Sequence, residues 1–189
     1  MTITDTYTQY NLEASKCRDL FQQKMKDYGT AWRILRLSSL IDQLYIKATR
    51  IRNIEENKVQ KVQDSVASEY IGIVNYSLMS LIQMELGPDE SCGRLDNEIL
   101  FLYDQYLDAT KNLMLAKNHD YGEVWRLMRR SSLTDLILMK ILRMRQIFEN
   151  DGRTQVSEGL EANLMDMINY ALFALIMISE IDKSKAVIA

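Results

Sequence analysis

Apolar residues return every three or four positions along most of this chain, and polar residues fill the intervals. Leu12, Cys17, Leu20, Phe21 and Met25 form one such stripe and predict a helix over about 11–26. Gly29 stands where a left-handed stop is wanted, and a short helix is expected over 31–37. Ser39, with Asp42 three residues on, reads as a capping-box-like pair. It opens a helix to about residue 56 whose stripe is Leu40, Ile41, Leu44, Tyr45, Ala48, Ile51 and Ile54. After a polar loop over 55–63, Asp64 or Ser65 caps a fourth helix. Tyr70, Ile73, Val74, Leu78, Met79, Leu81 and Ile82 make it apolar around most of its circumference, which predicts a central position.

The same pattern is then written again. Asp27-Tyr28-Gly29 through Asp42 recurs without a gap as Asp120-Tyr121-Gly122 through Asp135, and half the positions of 27–54 are identical to those of 120–147. The chain is a tandem duplication. The stretch from Gly87 to Gly93 carries the only proline and divides a first repeat (1–87) from a second (95–189), with 88–94 as linker. Helices are expected in the second repeat over about 95–117, up to 130, from the Ser132/Asp135 pair to about 149, and over 157–181, with a frayed tail at 183–189. The predicted fold is all-α: a tandem-duplicated helical bundle of two repeats, each of about four helices, packed as an intrachain pseudo-dimer. A repeat alone would bury only a modest core.

Composition narrows the function classes. Seven Gly and one Pro in 189 residues suit helix throughout. A net charge of −3 gives no general attraction for nucleic acid or an acidic membrane. Cys17 and Cys92 fall at unrelated places in the repeats, which argues against a disulfide framework and for a reducing compartment. The opening residues lack a basic stretch followed by an apolar core, so no export signal is expected and the location predicted is cytoplasmic. The most apolar run, Met165 to Ile178, is interrupted by Asp166 and Asn169 and reads as a buried helix.

The informative identities between repeats are polar: Asp27/Asp120, Arg33/Arg126, Arg36/Arg129, Asp42/Asp135, Lys47/Lys140, Arg50/Arg143 and Arg52/Arg145. Solvated charges can be exchanged freely, so several of these are expected to have partners. Lys47 with Arg50, and Lys140 with Arg143, share a helical face. Joined by Arg36 or Arg129, each pair can form a cationic pocket for a phosphate group, or a charged face paired with acids such as Asp42, Glu55 and Glu56. A small phosphorylated ligand suits two compact clusters better than a long polyanion. Asp42 and Asp135 read most simply as caps. Tyr28, Trp32, Tyr121 and Trp125 can border a base, while a plain turn and core tryptophans explain the same residues.

Asn75-Tyr76 and Asn169-Tyr170 interrupt apolar helices at equivalent places. A buried amide is costly without partners, so each Asn should bond to the other repeat, to nearby backbone or to a ligand. His119, the single histidine, has Lys26 as its counterpart, and no Gly-rich phosphate loop, nucleophile triad or Cys/His array is present. Carboxylates are the remaining catalytic option. Glu158 and Glu161, one turn apart, can share a hard cation such as magnesium, or simply favour the positive end of their helix. Asp166 lies among apolar residues. The corresponding acidic position in the first repeat is Glu69, opposite Asn163, while Gly72 stands opposite Asp166.

Lys-x-x-Asp-Tyr-Gly-x-x-Trp (Lys24 to Trp32, Lys117 to Trp125), then Asp-x4-Lys-x2-Arg and an Asn-Tyr helix, resembles the nucleotide-modification-associated domain one family in its tandem bacterial form. That family is in turn similar to the MazG-type all-α nucleoside triphosphate pyrophosphohydrolases, which hold magnesium on Glu-x-x-Glu and Glu-x-x-Asp pairs. The resemblance implies a nucleotide-related protein, a magnesium-dependent nucleoside triphosphate pyrophosphohydrolase with its site between the repeats, with Glu69, Glu158, Glu161 and Asp166 as magnesium ligands and Glu158, Glu161 and Asp166 as catalytic residues. The cationic clusters of Arg36, Lys47, Arg50, Arg129, Lys140 and Arg143 would then hold the phosphates of that nucleotide. Neither repeat keeps the full acidic set. The alternative is a non-catalytic nucleotide- or phosphate-binding module. The partner expected is a nucleotide, with no membrane or nucleic acid, and with homo-oligomers as an open alternative.

Overall fold

A computed structural model describes residues 5–57, 61, 63–89, 96–150 and 159–188. Among them the chain forms six α-helices and no strand: α1 (Thr6–Tyr28), α2 (Leu37–Asn57), α3 (Val66–Leu86), α4 (Asp96–Tyr121), α5 (Arg130–Glu149) and α6 (Leu160–Ile188). Short 3₁₀ turns at Ala31–Ile34 and Val124–Leu127 follow α1 and α4. The fold is all-α, and the two copies share one continuous core, so the helical bundle is an intrachain pseudo-dimer.

α3 and α6 pack together at the centre. α2 lies on α3, α5 lies on α6, and α2 meets α5, while α1 and α4 cover the remaining sides. Ile73, Val74 and Leu78 of α3 and Leu164, Ile168 and Leu172 of α6 are fully buried, each burial worth about 1.5–3 kcal/mol. α6 is long and apolar enough to cross a membrane, but most of its apolar window is buried inside the bundle. The central apolar run therefore serves as a core helix, as its Asp and Asn residues suggest.

Several boundaries differ from the pattern. α1 begins at Thr6, where the Asp5 carboxylate accepts from Tyr7 N at 3.2 Å, and α6 continues through the tail to Ile188. Ser65 caps α3 as expected, its hydroxyl accepting from Ser68 N at 3.1 Å. Gly29 (φ 59°) and Gly122 (φ 68°) adopt the left-handed backbone that ends α1 and α4. The capping role of Asp42 and Asp135 is not observed. α2 starts two residues before Ser39, and no side chain caps α5. Asp42 instead pairs with Arg145, and Asp135 lies 3.9 Å from Arg52. These are the same pair of positions exchanged between repeats, because α2 and α5 face each other.

The exchange recurs deeper. Tyr10 of α1 donates to Asn169 Oδ1 of α6 (2.8 Å), and Tyr103 of α4 donates to Asn75 Oδ1 of α3 (2.8 Å). Each Asn also donates to a carbonyl of its own repeat, Cys17 O (3.1 Å) or Thr110 O (3.2 Å). Ser179 donates to Glu13 (2.7 Å), and at the exchanged positions Tyr106 donates to Glu85 (2.8 Å). The linker residues 90–94, the loop 151–153, Ser157 and Cys92 lie outside the described residues.

Candidate functional site

In the first repeat, α2 turns Lys47 and Arg50 toward the start of α3, where Glu69 is buried. Lys47 Nζ lies 3.3 Å from Glu69 Oε2. Arg50 pairs with the other oxygen of Glu69, donates to the Asp64 carbonyl at 3.2 Å and lies 3.7 Å from the Asp64 carboxylate. The Lys47 stem crosses Gly72 so closely that a Cβ there would sit 2.6 Å from Lys47 Cε. Glycine therefore clears the path by which Lys47 reaches back one turn to Glu69. The Lys47 ammonium also lies 5.7 Å from the centre of the Tyr76 ring, within cation–π range. Partial burial, then Tyr76 and Asp27, raise the phenol of Tyr28, in the Asp-Tyr-Gly turn, above the ordinary value. Its side chain remains 57% exposed.

The second repeat solves the same problem differently. Asn163 replaces Glu69, and Asp166 replaces Gly72. Asp166 receives Lys117 Nζ at 2.5 Å and Lys140 Nζ at 2.7 Å, one on each oxygen. The Lys140 and Asp166 side chains are 6% and 7% exposed, whereas Lys47 and Arg50 are 23% and 24% exposed. Arg143, the counterpart of Arg50, has no glutamate to meet at position 163. It is exposed and lines a groove of about 470 Å³ formed by α5 and Arg52 of α2, with Asp135, Leu138, Met139, Leu142 and Gln146. Lys140 and Arg143 thus part company although their spacing puts them on neighbouring turns.

Arg36 and Arg129 are exposed at the entrances to α2 and α5, and their side chains make no ion pair among the described residues. Trp32 and Trp125 are buried. Phe21 lies 6.5 Å from Trp32, and Phe173 stacks on Trp125 at 4.2 Å, with the Arg126 guanidinium 4.4 Å from the same ring. Both tryptophans are anchors of the shared core. Tyr121 is 73% exposed. Glu161 is exposed, and Glu158 lies outside the described residues. Glu69 and Asp166 each face cations of their own repeat, and no three Asp, Glu, His or Cys among the described residues converge on a metal position.

Most other retained charges also have partners. Arg33 is fully buried and binds the Gln83 side chain and Gly87 O (2.6 Å), tying its turn to the end of α3. Arg126 binds Glu123 (2.6 Å), Glu180 (3.0 Å), Thr6 Oγ1 (2.7 Å) and Gln9 Oε1 (2.5 Å). Pattern reading gave no role to Lys117, Gly72 or Tyr76. Lys117 was signalled as the lysine that opens the repeated Asp-Tyr-Gly motif, and Gly72 as a glycine inside an apolar helix.

Residues 24–84 and 117–178 each match the family model described as nucleotide modification associated domain 1. The chain belongs to this family. Each match opens on the motif lysine, Lys24 or Lys117, and reaches into the Asn-Tyr helix, so the family domain includes every residue of the two ion clusters. Most of α1 and α4, with Tyr10 and Tyr103, lies before the matched segments. No curated protein and no solved structure matches the chain.

Proposed function

We propose that this chain binds a nucleotide without hydrolysing it, holding the phosphates on cations of the second helix of a repeat and bordering the base with tyrosine. The observation that carries the reading is the convergence of Lys47 and Arg50 on Glu69, with the Lys47 ammonium against the Tyr76 ring, inside the family domain. Arginine offers phosphate oxygens paired donors, lysine offers a mobile point charge, and a phenol ring offers an apolar face with a polar tip. Glu69 behind the cations fixes where they stand.

Two of the four carboxylates expected to hold magnesium, Glu69 and Asp166, do not suit it. Glu69 is engaged by Lys47 and Arg50, and Asp166 by Lys117 and Lys140. A divalent ion would have to displace an ammonium or guanidinium from each and so break a partly buried ion pair. The test is thermal unfolding with each of the eight common ribo- and deoxyribonucleoside triphosphates, with EDTA or with magnesium. At least one nucleotide should raise the midpoint in EDTA and be recovered intact. Release of pyrophosphate or phosphate with magnesium would overturn the reading, as would failure of all eight to shift the midpoint.

A further inference from the structure

We infer that the two repeats are inequivalent and that the chain takes one nucleotide, in the first repeat, while the second uses its matching lysine as a structural ion pair. This rests on the nucleotide-binding reading and assigns the site within it. The two repeats keep the same lysine and arginine on the second helix, so sequence identity alone gives two sites. Two positions on the partner helix break the equivalence. In the first repeat the acid stands at 69 and glycine at 72; in the second, amide stands at 163 and acid at 166.

The displacement of one turn decides what the lysine can reach. With Gly72 beneath it, Lys47 lies along α3 toward Glu69 and keeps about a quarter of its side chain exposed, beside Arg50, which is exposed to the same degree. The Lys47 ammonium also lies 5.7 Å from the centre of the Tyr76 ring. With Asp166 in place of glycine, Lys140 meets its counter-ion directly beneath, and Lys117 closes on the other oxygen. A phosphate approaching Lys140 would have to enter a packed interface and separate a buried ion pair. Arg143, released from the cluster, faces the α5 groove and cannot assist Lys140 as Arg50 assists Lys47. Lys24, the counterpart of Lys117, is exposed and makes no ion pair among the described residues, so the first repeat has a further cation that the second has committed to Asp166.

Equilibrium dialysis of the full chain in EDTA against each of the same eight nucleoside triphosphates counts bound ligand per chain. One per chain is expected. Lys47→Ala should weaken binding at least tenfold, and Lys117→Ala, a change at a partly exposed side chain, should leave it within about twofold, a charge-assisted contact being worth about 1.5–3 kcal/mol. Asn163→Glu with Asp166→Gly, which writes the first repeat's pattern into the second, should raise the count toward two. A wild-type count of two overturns the inference and leaves nucleotide binding standing, as does loss of binding in Lys117→Ala with retention in Lys47→Ala. No bound nucleotide from any of the eight removes the underlying reading itself.

Discussion

Tyr10 and Asn169 are separated by nearly the whole chain, yet the phenol of one donates to the amide oxygen of the other at 2.8 Å in the buried centre. Tyr103 and Asn75 repeat the contact with the repeats exchanged. Each half therefore satisfies an amide that the other half has buried, which makes the two interdependent. Tyr10→Phe and Tyr103→Phe should each destabilise by about 1–3 kcal/mol, the cost of a buried acceptor left short of a donor. Urea unfolding should show one cooperative transition in both variants. Separate transitions for the two halves would contradict a shared core.

Breaking the ion clusters should expose their inequivalence without any ligand. Asp166→Ala removes the carboxylate that Lys117 and Lys140 share, in a cluster where Lys140 is buried, and should cost about 3–5 kcal/mol. Glu69→Ala leaves cations that already reach solvent and should cost clearly less. Replacing both members of the buried pair, Asp166→Leu with Lys140→Met, should recover much of the loss. Equal costs for Asp166→Ala and Glu69→Ala in chemical denaturation would argue that the clusters are equivalent after all.

The reciprocal surface pairs Asp42–Arg145 and Asp135–Arg52 should matter little individually. Asp42→Ala and Asp135→Ala are each expected to change stability by no more than about 1 kcal/mol, with the effect fading as salt is added. A larger or salt-insensitive loss would mean that these aspartates have a role beyond the α2/α5 contact.

Alkaline pH should unfold the protein through its tyrosines. Burial raises the phenols of Tyr10 and Tyr103 well above the ordinary value, and burial with opposing hydrogen bonds leaves Tyr70 at about 12. A raised folded-state pKa means the native state holds its proton longer than the unfolded chain. That contribution is complete below the unfolded value near 10 and is lost as pH rises through the folded one. Urea midpoints should hold steady to about pH 9.5 and fall above it, with tyrosinate absorbance appearing together with unfolding. Tyr10→Phe should lessen the slope. Tyrosinate forming well before unfolding would show these phenols to be accessible.

The duplication, the helical class, the central place of α3, the burial of α6 and the requirement that Asn75 and Asn169 find partners are all legible along the chain. Each follows from local spacing or from the cost of burying an amide, and neither needs knowledge of what packs where. The charges are another matter. Ser39 and Asp42 have the spacing of a cap, yet α2 begins earlier and Asp42 is drawn across the interface, because Arg145 is brought opposite it only when α2 meets α5. Trp32 and Trp125 read as core anchors with base contact as the alternative, and the closed core decides for anchors.

The Asp-Tyr-Gly repeat and its retained lysines and arginines were determined by the sequence itself, including the difference between Gly72 and Asp166. What that difference means was decided by the tertiary structure. A lysine stem is long and flexible, so its partner is chosen by the free space and charge on the neighbouring helix. Over Gly72, Lys47 lies open beside Arg50 and tyrosine. Over Asp166, Lys140 is enclosed, and identical residues on α2 and α5 come to hold different positions in the protein.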